Sequence, residues 1–151
     1  MMKNPPTYED ADLILKLYDL RREEKLRTAR KWFGAMPALA SRAEFLEQAP
    51  AGSEENAYFR MVLTYWDMAC SFVATGVLNR EAFFRGNNVE ALYIWEKVRR
   101  AMSEIREVSK NKLYGAHLEQ VANDYIEWYR EQSPEFYETL QANVAKIAKK
   151  G

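Results

Sequence analysis

The chain has 151 residues, with 22 lysines and arginines against 22 aspartates and glutamates, 48% apolar residues and 29% charged ones. That length fits one domain with its own core, and the composition is that of neither a disordered nor a membrane-embedded chain. The charge balance holds in each half, which gives nucleic acid no electrostatic footprint, and the lone cysteine, Cys70, excludes an internal disulfide and a cysteine-rich zinc site.

Residues 1–6 read as a flexible lead-in with two prolines and none of the apolar run of a secretory signal, so a cytoplasmic location is expected. Thr7 with Asp10 three positions on is a variant capping box, and predicts a helix from Tyr8 to about Phe33, before Gly34 and Pro37. Leu13, Leu17 and Leu20 form one apolar face of that helix; Leu15, Tyr18, Leu26, Ala29 and Phe33 form another. Its first half should therefore be sandwiched between other elements. Its second half keeps only the second face and is otherwise heavily charged.

Ser41 and Glu44 form a second capping box for a short helix that carries Phe45 and Leu46 and stops near Pro50. Ser53 caps the next helix, with Glu54 and Glu55 in the first turn, where carboxylates favour the positive end of the helix dipole, and Gly76 ends it. Asn79 caps a brief turn of helix over "REAFFRG". After Asn88, residues Ala91, Trp95, Val98, Met102 and Ile105 step by four and three along one stripe; Tyr114, Leu118, Val121, Tyr125 and Trp128 do the same from about Leu113 to Gln132. Ser133, Pro134 and Glu135 predict the start of a last helix that buries Phe136, Leu140, Val144 and Ile147. No stretch alternates as a strand would. The expectation is a single all-α domain, a bundle of five main helices and two short ones, with the helix at about 53–75 in the centre.

That central helix holds the least ordinary residue pattern. Met61 to Leu78 contains one charge, Asp67, near its middle. A membrane span needs about 20 mostly apolar residues, and Arg60 and Gly76 bound this run while an acid at mid-span is costly, so no membrane partner is expected. On a helical wheel Asn56, Arg60, Thr64, Asp67, Ser71 and Thr75 fall within one narrow arc, and the intervening residues from Ala57 to Ala74 are apolar. Asp67 thus belongs to a polar seam along a helix buried elsewhere. Two arrangements satisfy it: a slot open to water, or a seam facing the charged half of the first helix, with Asp67 crossed to Arg22 and Arg60 to Glu24.

Nine tyrosines, seven phenylalanines and four tryptophans are the compositional excess. Tyr125, Trp128 and Tyr129 crowd adjoining parts of one helix, which makes them the candidate self-association patch. Catalytic signatures are missing: Cys70 and the only histidine, His117, fall on different predicted helices, Tyr114 stands where a Glu-x-x-His pair would need its glutamate, and the six glycines are scattered. Neither a metal nor another cofactor is expected.

The segments "GSEENAYFRMVLTYWDMA", "GVLNREAFF" and "WEKVR", with the first helix, resemble an uncharacterised bacterial all-helical domain family over roughly residues 8–100. The resemblance implies the helical fold and no activity, cofactor or site residue. The leading expectation is a non-enzymatic protein that associates with itself or another protein. The alternative is a small-molecule binder with an aromatic-lined pocket gated by Arg60 and Asp67.

Overall fold

The computed structural model describes residues 4–148; residues 1–3 of the expected lead-in and 149–151 of the basic tail lie outside the described residues. Among the described residues there are nine α-helices and no strand: α1 (Tyr8–Arg21), α2 (Glu24–Ala35), α3 (Arg42–Gln48), α4 (Glu54–Ala74), α5 (Arg80–Arg85), α6 (Glu90–Val98), α7 (Met102–Ser109), α8 (Ala116–Gln132) and α9 (Phe136–Ala145). Four of the five helix starts read from capping residues form as expected. Thr7, Ser41, Ser53 and Asn79 each accept a hydrogen bond from the backbone N–H three residues on, and Asp10 completes the box at Thr7.

Helix α4 is the centre. It packs chiefly against α2 on one side and α8 on the other, while α6 closes against α8 and α9. Its Phe59, Val62, Leu63, Trp66, Ala69 and Cys70 are within 1% of complete burial, and they meet Phe33 of α2 and Leu118 of α8 in one continuous core. No helix among the described residues is long and apolar enough to cross a membrane.

Two helices expected to be continuous are broken. The first divides at Arg22–Glu23: Glu23 turns to φ −56°, ψ 140°, and its carboxylate accepts from Leu26 N at 3.0 Å, so it caps α2. No glycine or proline marks this point; a charged residue has taken the capping role. The break lets α1 lie against α5 while α2 runs along α4. As a result α1 is not sandwiched. Leu13, Ile14 and Leu17 face the core, but Tyr8 (95%), Leu15 (66%), Leu20 (54%) and Tyr18 (49%) are exposed. The helix expected after Asn88 likewise divides into α6 and α7, where Ala101 N bonds back to Val98 O in a tightened turn and Ala101 itself is fully buried.

Two further starts move. Ser133 does not cap α9: its backbone carbonyl accepts from Phe136 N, and Ser133–Pro134–Glu135 form a turn before the helix. Helix α8 begins at Ala116 rather than near Leu113, because Gly115 takes φ +70°. A Cβ there would lie 2.8 Å from Met102 Cε. Gly76, past the end of α4, also has φ +83°, but a Cβ added to it meets nothing within 4 Å. Gly76→Ala should therefore cost about 1 kcal/mol of unfolding free energy, the left-handed strain alone. Gly115→Ala should cost the same strain and little beyond it in the same urea titration, since the atom it meets is the mobile methyl end of Met102.

Candidate functional site

The seam opens to water, with Arg60, Thr64 and Thr75 exposed and Asp67 half-buried, and Asp67 is not paired with Arg22. Its Oδ1 accepts from the backbone N–H of Leu118 at 2.9 Å. Leu118 is the third residue of α8, and that helix has no side-chain cap of its own because Gly115 precedes it. An acid from α4 thus supplies the missing cap, fifty-one residues away in sequence. The rest of the seam bonds within its own helix on the water-facing side. Thr64 Oγ1 donates to Arg60 O at 2.6 Å, Ser71 Oγ donates to Met68 O at 2.6 Å, and Arg60 Nε donates to Asn56 Oδ1 at 3.2 Å. Arg22 and Glu24 are exposed, and Arg22 lies over the Tyr18 ring at 5.7 Å; the crossed pairing is not formed.

The expected association patch is also elsewhere in character. Tyr125 is fully buried, its ring stacked on Phe84 at 4.4 Å and its hydroxyl donating to Phe84 O at 2.7 Å. Trp128 donates from Nε1 to Glu81 at 3.0 Å, and Tyr129 is covered by Phe136 at 4.3 Å. The crowding read from sequence is real, but α5 and α9 cover it. Tyr125, Trp128 and Tyr129 join α8 to its neighbours within the molecule.

The densest group of interacting charges lies on residues that periodicity left as surface. Glu90, in the first turn of α6, receives Arg30 of α2 in a forked pair, from Nε at 2.9 and 3.1 Å and from Nη2 at 2.7 Å. Trp66 Nε1 of α4 donates to the same carboxylate at 2.9 Å. Arg30 Nη1 reaches on to Arg21 O, at the end of α1, at 3.1 Å. Four helices therefore meet at one carboxylate and its arginine. Burial acts to raise the Glu90 pKa, but the hydrogen bonds from Arg30 and Trp66 outweigh it and hold the group below the usual glutamate range. The same pair raises Arg30, chiefly through the hydrogen bond to Glu90.

Lys97, two turns further along α6, is only 2% exposed. Its Nζ donates to Phe33 O at 2.8 Å and Gly34 O at 2.9 Å, carbonyls of the last turn of α2, the first of which also accepts from Met36 N. Burial pushes this amine down to about 8, with Glu90 pulling weakly the other way. Arg21 completes the set; its guanidinium lies over the rings of Tyr18 at 4.8 Å and Trp66 at 5.6 Å. These side chains border a cleft of about 510 Å³ whose other walls are Val89, Tyr93 and Ile94 of the α6 region and Val144 and Ile147 at the end of α9. Arg60 and Asp67 do not border it.

One signal in the sequence pointed here. Nearly the whole circumference of "EALYIWEKV" is buried, so its charges had to find partners. Cys70, by contrast, sits fully buried, and desolvation raises its thiol far out of the reactive range.

What the fold and these contacts define is a helical bundle whose short elements are tied end to side by polar groups from remote helices. The chain belongs to the family described as domain of unknown function (DUF4760), whose model matches residues 6–147 and so spans α1 to α9, further than the resemblance carried by the first two-thirds. No curated protein and no solved structure matches the chain.

Two measurements test these contacts. Asp67→Ala should lower the unfolding free energy by about 1–2 kcal/mol through loss of the α8 cap, and Asp67→Asn, whose amide oxygen still accepts, by less. For Lys97 the folded pKa lies below the unfolded value of 10.5, so the folded chain releases this proton first and stability rises with pH between about 8 and 10.5. Urea titrations at about pH 7.5 and 10 should show wild type gaining on the order of 1–3 kcal/mol relative to Lys97→Met, a comparison that cancels titrations common to both.

Proposed function

We propose that the protein is a non-enzymatic interaction module of the cytoplasm that associates with a second copy of itself through α1. The observation that carries this reading is the exposed stripe of Tyr8, Ala11, Leu15 and Tyr18, spaced by three, four and three on the side of α1 turned away from the core. Such spacing is the seam that one helix offers another. Large aromatic and aliphatic groups gathered on one face are what interfaces use and what a solvated helix has no need of.

Charge favours a copy of the same helix. The first half of α1 carries Glu9 and Asp12, the latter also paired with Lys16, and the exposed basic Arg22 stands at its end. A two-fold arrangement runs the two helices antiparallel, which sets the acidic end of one against the basic end of the other. The cytoplasmic assignment rests on the lone, fully buried thiol, which suits a reducing compartment.

Sedimentation over a range of concentrations tests the reading. Wild type should shift from monomer to dimer, and Leu15→Glu should weaken the dimer at least about tenfold while leaving the unfolding free energy within about 0.5 kcal/mol, since Leu15 touches no core. A wild-type mass that stays monomeric at every concentration overturns it.

A further inference from the structure

The α6 cleft holds more positive charge than the protein itself neutralises. Arg21, Arg30 and Lys97 border it, and Glu90 is its one carboxylate. Both oxygens of Glu90 are already taken by Arg30 and Trp66. Lys97 is buried against two backbone carbonyls, which use two of its three N–H groups. Arg21 forms no side-chain hydrogen bond or close ion pair with the described residues; two ring faces and the field of the Glu90 carboxylate, already bonded elsewhere, hold it. A guanidinium held beside a buried ammonium, with no carboxylate oxygen left free between them and the amides of Asn87 and Asn143 as further polar lining, is a place an anion completes.

The remaining walls set the rest of the ligand. Ile94 and Val144 are 4% and 3% exposed, and Val89, Tyr93 and Ile147 continue the apolar lining toward the end of α9. At about 510 Å³ the space is within the range of small-molecule sites. We infer that this cleft binds a small amphipathic organic anion, its carboxylate or phosphate head on Arg21 and the free N–H of Lys97 and its apolar body against Tyr93, Ile94 and Val144. The site is independent of the α1 stripe, because Arg21 points to Trp66 and the cleft whereas Tyr8 and Leu15 lie on the exposed side.

Calorimetric titration of the full chain with decanoate, decyl phosphate and the uncharged decanol tests this. Decanoate or decyl phosphate should bind saturably with one site per chain and at least about tenfold more tightly than decanol, and the tighter of the two identifies the head group. Arg21→Gln should weaken the anion about tenfold with an unchanged unfolding midpoint, and leave decanol unaffected; Arg21→Lys should recover part of the loss. Equal affinity for anion and alcohol, no saturable binding of either anion, or an Arg21→Gln chain that binds as wild type overturns the assignment.

Discussion

A chain folded as short helices is ruled by its helix ends. Each end leaves backbone N–H or C=O groups without intrahelical partners, and burying them unpaired costs free energy comparable to a lost hydrogen bond. Nine helices meet among the described residues, and local caps serve only some of the ends. The others are closed from a distance: Asp67 of α4 on the start of α8, Lys97 of α6 on the end of α2, and Tyr125 of α8 on the last turn of α5. Asn56 does the same for α3 through Ala49 O. The order of the bundle follows from these ties, because each one fixes where a helix stops as well as what it packs against.

The aromatic excess has the same origin. Tyrosine and tryptophan bring a large apolar body and one polar atom, so they fill a core and reach a backbone group or carboxylate in one stroke. Trp66 and Trp128 each end on a glutamate of another helix, and Tyr137 ends on Glu96. The buried aromatic residues thus tie one helix to the next, while Tyr8 and Tyr18 remain exposed on α1.

This explains what could be read from the sequence and what could not. Caps that are local in sequence were legible: Thr7 with Asp10, Ser41, Ser53 and Asn79 all act as their spacing implies. So was the buried circumference of α4, and with it the all-helical fold. Remote caps left no local trace. Asp67 and Lys97 each serve a helix more than fifty residues away, and Arg30 and Glu90 are sixty apart. Periodicity sees a charge on a helix and assigns it to water, or to the nearest charged segment, as happened with Arg22 and Glu24. The break at Glu23 escaped for a related reason, since a glutamate is a weaker capping residue than serine or threonine and stood within a charged run.

The single thiol gives this architecture an internal gauge. Cys70 lies in the last third of α4, the helix packed between α2 and α8, with no exposed surface and with its proton held tightly by burial. Local fraying at α1 or α9 leaves it covered. A disulfide reagent can reach the sulfur only when α4 itself comes away from α2 and α8, so the pace of its modification would record excursions of the entire core rather than of any one segment.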